Sequence, residues 1–238
     1  MGTFHEAVPV SSLFTFNDLV RAVPGQIISY AICNQPGIHI ALYGLGAEES
    51  ITTEVAVEEK WILVQEGQIT IKIDGKGHVI KEKQTIVIPA HSSYELIANE
   101  QAKYQLIHIG LILDYTNNKL KENTKMDTII NKIPHAQTLQ LADQIEIVPN
   151  QTASKSIVQR KDLTMSLFAL DADGVIAKHS SPGDALVQVL EGVVEITIGD
   201  DLYTVHSGES IVMPANIPHA LKAIEAFKML LIVVKPQA

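Results

Sequence analysis

His179-Ser-Ser-Pro-Gly-Asp-Ala185 opens the segment that decides the fold of this chain, and Pro214-Ala-Asn-Ile-Pro-His219 closes it. Short apolar runs lie between these two ends and are separated by a turn at Gly192, a pattern that predicts β-strands. Each end carries one histidine. We therefore expect the two imidazoles to face each other inside a barrel, where neutral rings serve as metal ligands or proton carriers.

The composition is that of a soluble, well-packed protein. Of the 238 residues, 46% are hydrophobic and 19% are charged, which is enough apolar material for one or two buried cores. The net charge of −9 argues against nonspecific binding to nucleic acid or to an anionic membrane. A single cysteine, Cys33, excludes an internal disulfide framework and favours a reducing compartment. Because signal-peptide and membrane-span patterns are lacking, we expect a cytoplasmic protein.

The sequence contains a tandem duplication. A shift of 125 residues lays residues 18–107 on 143–232 without a gap, and about a quarter of the aligned positions are identical. The matches include Glu66-Gly67 on Glu191-Gly192, and Ile86-Val-x-Pro-Ala90 on Ile211-Val-x-Pro-Ala215. A match of this length predicts two copies of one domain, each of ordinary domain size.

Both copies have the pattern of an all-β fold. Apolar or alternating runs recur at residues 38–45, 61–64, 69–73 and 86–88, and again at 163–170, 185–190, 194–198 and 211–213. Turn signals separate these runs at the close spacing typical of sandwiches and barrels. Residues 14–22 and 139–146, which precede the two copies, are expected to form a short helix or a lead-in strand.

These patterns predict three segments. An N-terminal barrel occupies residues 1–113, a polar linker with a short helical or extended path occupies 114–138, and a C-terminal barrel occupies 139–238. Within the linker, residues 126–132 are compatible with a short helix that ends before Pro134.

Two spaced motifs in the second copy indicate a family. The pattern G-x5-H-x-H-x3/4-E-x6-G has its two histidines, its glutamate and its last glycine at His179, Ser181, Ala185 and Gly192. The pattern G-x5-P-x-G-x2-H-x3-N falls on Gly208, Pro214, Asn216, His219 and Ala223. Asparagine suits a glycine position because it tolerates the left-handed backbone better than most residues. On these motifs the chain resembles the cupin superfamily, and the resemblance implies two tandem cupin barrels of the jelly-roll type, a bicupin.

The resemblance also implies a ligand set, because metal-binding cupins typically hold their ion with three histidines and one glutamate. Here His179 and His219 keep two of those positions, whereas Ser181 and Ala185 replace the others. Three protein ligands are the usual minimum for a catalytic ion, so a divalent metal (Fe, Mn, Ni or Zn) needs further ligands from water or substrate. The other interpretation is a polar histidine pair that binds a small organic molecule in an apolar pocket.

Strand alternation suggests which side chains line that pocket. The polar members are His179, Ser181 and His219, and the predicted apolar walls are Met165, Leu167, Val187, Val189, Leu221, Phe227, Met229 and Leu231. An equally simple interpretation is that these side chains fill the barrel, as they do in small barrels.

The first copy has lost the ligand set altogether. The shift of 125 places Glu54, Ala56, Lys60 and Tyr94 at the four ligand positions. We expect Glu54 and Lys60 to form an ion pair and Tyr94 to fill the barrel mouth, because buried charges persist best when they are paired. For the remaining histidines, which include His39 and His108, surface or packing roles are expected.

Three functions remain open from the sequence. The first is a protein that binds a small organic molecule in the C-terminal barrel, and the second is a metal-dependent dioxygenase or isomerase that uses His179 and His219. The third is a structural barrel with no ligand. Trp61 and Leu186 occupy matching positions that point out of the two barrels, which predicts an apolar interface either between the copies or between the chains of a homodimer.

Overall fold

A computed structural model describes residues 2–110 and 128–236 of the chain. In the N-terminal part, strand β1 (Phe14–Thr15) and a single helical turn α1 (Phe16–Leu19) come first. They are followed by β2 (Ile27–Gln35), β3 (Ile38–Leu45), β4 (Ser50–Val55), β5 (Glu59–Glu66), β6 (Gln68–Ile73), β7 (Lys76–Lys81), β8 (Gln84–Ile88), β9 (Ser93–Ile97) and β10 (Ala102–Ile109). Thr15 caps the helical turn through a reciprocal pair of hydrogen bonds with Asp18.

The second copy repeats this order. It begins with β11 (Leu139–Gln140) and a 3-10 turn (Ala142–Gln144). The strands β12 (Thr152–Gln159), β13 (Leu163–Leu170), β14 (Val175–His179), β15 (Asp184–Glu191), β16 (Val193–Ile198), β17 (Asp201–His206), β18 (Glu209–Met213), β19 (His219–Ala223) and β20 (Phe227–Val234) follow. Each lead-in segment therefore forms a strand and then a helical turn. Residues 111–127, most of the predicted linker, lie outside the described residues, and residues 128–132 contain no helix.

Each copy is a jelly-roll barrel made of one larger and one smaller antiparallel sheet. In the first copy the sheets have the orders β11-β8-β5-β10-β3-β2 and β4-β9-β6-β7. In the second copy the orders are β1-β18-β15-β20-β13-β12 and β14-β19-β16-β17. The predicted all-β fold of two cupin-like barrels is confirmed.

The two copies exchange their first strands. β1 precedes the N-terminal barrel but pairs with β18 of the C-terminal barrel, with Phe14 opposite Ser210. β11 precedes the C-terminal barrel but pairs with β8 of the N-terminal barrel, with Leu139 opposite Thr85. These two pairs are equivalent under the shift of 125 residues, so each copy completes the larger sheet of the other.

Buried carboxylates at equivalent positions hold the exchanged segments. Asp184 accepts hydrogen bonds from the backbone N–H and, at 2.8 Å, from the hydroxyl of Thr3. Glu59 accepts from the backbone N–H groups of Ile129 and Ile130, both at 2.8 Å. We call residues 2–20 the N-terminal arm. The hydrogen bonds from Thr3 of this arm to Asp184 cross the boundary between the copies, because Asp184 belongs to the C-terminal barrel.

The apolar side chains form three clusters. One fills each barrel, and the third lies between the outer faces of the two larger sheets. Trp61 and Leu186 both lie in the cluster between the sheets, so the interface that their outward positions predicted is an interface between the two copies. No helix within residues 2–110 and 128–236 is both long and apolar enough to cross a membrane.

Candidate functional site

His179 and His219 lie opposite each other on neighbouring strands of the smaller C-terminal sheet. The register of β14 with β19 pairs the two residues directly. Their ring centroids are 4.5 Å apart, and the rings are tilted at 67° in an edge-to-face arrangement. His219 is 2% exposed, whereas His179 is exposed. The two rings therefore face each other as expected, but only His219 is buried, and His179 is not inside the barrel.

Backbone carbonyls fix the orientation of both rings. Nδ1 of His179 lies 2.9 Å from the carbonyl oxygen of Ala177, and Nδ1 of His219 lies 3.0 Å from that of Ile217. A carbonyl oxygen only accepts hydrogen bonds, so in the neutral ring Nδ1 carries the hydrogen and Nε2 keeps its lone pair. Burial lowers the pKa of His219, the Ile217 carbonyl opposes this shift, and the proximity of His179 lowers the pKa further. His219 is consequently a neutral hydrogen-bond acceptor or ligand near pH 7.

The other two positions of the family's ligand set supply no metal ligand. The Ser181 hydroxyl accepts from the Gly183 N–H at 3.2 Å, and the Ser181 carbonyl accepts from the Asn216 N–H at 2.7 Å, so this residue holds the loop together. Ala185 contributes only a buried methyl group to the barrel core. Among the described residues, no group of three or more His, Cys, Asp or Glu side chains is arranged to hold a metal. The donor set present does not fit a tightly bound Fe, Mn, Ni or Zn ion.

The side chains predicted as apolar walls fall into two clusters. Val187, Phe227 and Met229 belong to the cluster that fills the C-terminal barrel. Met165, together with Leu167, lies instead in the cluster between the barrels, so its placement in the pocket was wrong. The face of β13 that points into its own barrel carries the even-numbered residues, among them Phe168 and Leu170. Both faces of this strand are covered, the odd-numbered face by the first copy and the even-numbered face by its own barrel, so alternation alone does not show which face lines the barrel.

The N-terminal barrel contains a polar cluster that the sequence did not predict as a site. His39, His108 and Lys60 stand side by side on β3, β10 and β5. They face inward because the alternate residues of those strands fill the core between the barrels. From the opposite sheet, the Tyr94 hydroxyl accepts from Lys60 Nζ at 2.9 Å and donates to Glu54 Oε2 at 2.5 Å.

These contacts bear on three expectations. Lys60 Nζ lies 4.0 Å from Glu54 Oε2, which is the expected ion pair, whereas Tyr94 is 5% exposed and belongs to the core cluster of the N-terminal barrel. His39 and His108, for which surface or packing roles were expected, form a polar row beside Lys60 inside the barrel. The alternation Ile38-His39-Ile40 did separate the two faces of β3. It did not show that the isoleucine face is the one covered by the other copy.

Burial controls the protonation of this N-terminal cluster. It lowers the pKa of His39, and nearby Lys60 lowers that pKa further. It lowers the pKa of His108 as well, against the opposing charge of Glu58, whose Oε2 lies 2.7 Å from Nε2. Burial also lowers the pKa of Lys60, although Glu54 and Glu58 oppose this shift.

Acidification is expected to destabilise the protein through His39 and His108. Their pKa values are depressed in the folded state, so between the folded and the unfolded pKa the unfolded chain binds more protons and stability falls as pH falls. The rings share their barrel end with Lys60, Glu58, Glu54 and Tyr94, and protonation adds positive charge beside Lys60. We expect the melting temperature to drop between about pH 7 and about pH 5. A His39→Asn, His108→Asn double variant is expected to show a shallower drop, and an unchanged slope would contradict this assignment.

A separate groove of about 650 Å³ runs between the two barrels. Equivalent residues of both copies line it, and near its centre Gln188 Nε2 donates to Gln65 Oε1 at 3.3 Å. Neither the histidine pair nor Lys60 borders this groove. We therefore place the candidate sites at the histidine pair and at the Lys60 cluster, where polar side chains pair with one another.

Comparisons with known proteins agree with the barrel architecture. The family model described as "Cupin domain" matches residues 166–235. A cupin 2 conserved barrel domain protein from Leptotrichia buccalis is 28% identical, with 96% of this chain and 99% of that chain covered and a TM-score of 0.80. A conserved protein of unknown function from Streptococcus pyogenes, SPY1581, is 53% identical over 46% of this chain and 96% of its own, with a TM-score of 0.45.

More distant structures share only the fold. A salicylate 1,2-dioxygenase from Pseudaminobacter salicylatoxidans is 13% identical, with 87% of this chain and 76% of that chain covered and a TM-score of 0.60. No curated protein sequence matches the chain. The motifs of the second copy, the family model on the same residues and the full-length barrel match all lead to one assignment. Residues 166–235 match the cupin domain family, and the chain as a whole is similar to a cupin 2 conserved barrel domain protein.

Proposed function

We propose that this cupin binds a small organic molecule at the mouth of its C-terminal barrel, between His179 and His219. The observation that carries the proposal is the matched orientation of the two rings. Each donates Nδ1–H to a carbonyl of its own chain, and no hydrogen bond to either Nε2 forms within residues 2–110 and 128–236. Two adjacent acceptors at the end of an apolar barrel favour a ligand that presents hydroxyl or N–H donors on an apolar body.

The walls of the barrel set the character of the ligand. Val187, Phe227 and Met229 supply an apolar interior, and methionine adapts its shape to irregular partners. Ala185 leaves only a methyl group where the family's glutamate ligand would stand. A molecule with a hydroxylated ring or a short hydroxylated chain therefore suits the site better than a charged one.

Two alternatives remain as proposals of lower rank. A metal-dependent dioxygenase or isomerase would need metal ligands beyond His179 and His219. A filled structural barrel would need no ligand at all. A cytoplasmic location and a homodimer also remain proposals, and Trp61 and Leu186 no longer argue for the dimer because the two copies bury them against each other.

A ligand screen tests the proposal. Ligand-observed NMR with small phenols, alcohols and hydroxy acids is expected to find compounds that bind the untagged wild-type protein and not the His179→Ala, His219→Ala double variant. The exposed residue His206 on the outer strand β17 provides a matched control, since His206→Ala is expected to leave binding intact. Binding that persists in the double variant would contradict the proposal. So would a stoichiometric metal, measured by elemental analysis, that the double variant loses.

A further inference from the structure

Lys60 is a largely buried amine that faces into the N-terminal barrel. Its side chain is only 15% exposed, and it lies between His108 on β10 and Ile88 on β8 in the larger sheet. Its ammonium nitrogen sits 4.9 Å from the centroid of the Tyr94 ring. An ammonium in this position loses much of its hydration, which favours the neutral, nucleophilic amine.

The hydrogen bonding of Lys60 is incomplete. Its Nζ donates to the Tyr94 hydroxyl, whereas Glu54 at 4.0 Å is beyond hydrogen-bonding distance. Two lysines of similar burial provide the contrast. Lys103, 14% exposed, reaches Glu66 at 3.0 Å and the Asn17 carbonyl at 3.2 Å. Lys228, 12% exposed, reaches Glu191 at 3.1 Å and the Ala142 carbonyl at 2.9 Å. Burial alone does not distinguish Lys60, but its weak pairing with a carboxylate does.

Tyr94 connects Lys60 to solvent. Its hydroxyl accepts from Lys60 and donates to Glu54, and the Glu54 side chain is 53% exposed. Protons can therefore pass between the amine and bulk water through a hydroxyl and a carboxylate, which is the arrangement that general acid–base catalysis requires. The neighbouring His39 and His108 are held in the neutral form by burial, so they add no positive charge to the row near pH 7.

We propose that Lys60 is a nucleophile that forms an imine with a small aldehyde or ketone in the N-terminal barrel. The ammonium first passes one proton through Tyr94 to Glu54. The freed electron pair on Nζ then bonds to the carbonyl carbon, and a second proton moves from nitrogen to the carbonyl oxygen to give a carbinolamine. The Glu54 proton returns through Tyr94 to the new hydroxyl, the C–O bond breaks, and water leaves. The products are a protonated imine and one water, so no oxidant or reductant is needed.

The side chains that pack deeper in the barrel than Lys60 limit the size of the carbonyl compound. Tyr43 and Tyr104 stack there with ring centroids 5.1 Å apart, and Tyr104 is fully buried. This aromatic pair closes the barrel beneath the amine. The expected carbonyl compound is therefore a small one, of a few carbon atoms. The site differs from the histidine pair in the other barrel, and the inference does not depend on that proposed function.

Borohydride trapping tests the inference on the intact wild-type chain. The protein is incubated with acetaldehyde or acetone, reduced with sodium borohydride and analysed by peptide mass spectrometry. Under limiting carbonyl, the alkylated fraction at Lys60 is expected to be about tenfold higher than at Lys103 and Lys228. Those two lysines are internal controls in the same sample, so the comparison needs no folded variant. Labelling of Lys60 no faster than that of the two controls would overturn the inference.

The proton relay gives a second readout. Tyr94→Phe is expected to slow labelling of Lys60 about tenfold or more near neutral pH, and labelling is expected to recover at alkaline pH, where the amine loses its proton directly to water. Tyr203→Phe in the other barrel is the control and is expected to keep the wild-type rate. A Tyr94→Phe variant that is folded by circular dichroism and labels at the wild-type rate at every pH would remove the relay from the proposal.

Discussion

Deletion of the N-terminal arm, residues 2–20, is expected to unfold the protein at ordinary temperature. The arm places Phe4, Val8, Phe14, Phe16 and Val20 in the core between the two barrels. Burial of five such side chains stabilises the fold by about 10 kcal/mol, which is comparable with the whole stability of a typical domain. The deletion also removes β1 from the edge of the C-terminal sheet, so the barrel to which the arm does not belong in sequence is damaged as well.

Smaller changes at and near the contact between the arm and the C-terminal barrel test the same claim with the fold intact. Asp184→Ala leaves the buried Thr3 N–H without its acceptor, which is expected to cost about 1–3 kcal/mol. Glu6→Ala changes an exposed residue of the same arm and is expected to stay within about 0.5 kcal/mol of wild type. Thermal unfolding followed by circular dichroism measures all three variants. An arm deletion that melts within a few degrees of wild type would show that the exchanged strand is dispensable.

Trp61→Ala is expected to lower the free energy of unfolding by about 3–5 kcal/mol, the usual loss when a large aromatic side chain is removed from a core. Trp61 is 1% exposed and packs between the larger sheets of the two copies. Its indole N–H donates to the Thr85 hydroxyl, which in turn donates to the Ile62 carbonyl at 2.7 Å. The substitution therefore creates a cavity and removes a hydrogen bond at the interface between the copies.

Matched variants separate these two effects. Trp61→Phe keeps most of the packing and loses the indole N–H, so a loss of about 1 kcal/mol is expected. Leu202→Ala truncates an exposed apolar side chain and is expected to have little effect. Urea unfolding gives the three free energies. A Trp61→Ala loss below that of Trp61→Phe would contradict the burial of this side chain between the copies.

The sequence predicted most of the architecture because the repeat and the strand alternation are both strong. Alternation placed Val187, Phe227 and Met229 inside the barrel and Trp61 outside it. It placed Met165 on the wrong face because the more apolar, odd-numbered face of β13 is covered by the other copy, whereas the barrel-facing side includes Thr164 and Ser166. A strand covered on both sides has no solvent face, so alternation does not show which side lines the barrel.

The polar cluster of the N-terminal barrel was harder to predict for a related reason. His39 and His108 are separated by most of the N-terminal copy in sequence, and only the pairing of β3 with β10 brings them together. The repeat did identify Lys60 and Tyr94, but only as residues that replace two of the family's metal ligands. Their hydrogen bond, and the link to Glu54, depend on the distance between two facing sheets, which no local pattern encodes.

Electron density inside the C-terminal barrel is the most direct test of small-molecule binding at His179 and His219. The suitable crystal is one of untagged protein soaked with a compound that the ligand screen selects. The predicted result is density for that compound within hydrogen-bonding distance of Nε2 of both histidines, with no anomalous signal from a metal. A barrel end closed by packed side chains, or an anomalous peak bonded to both Nε2 atoms, would contradict it.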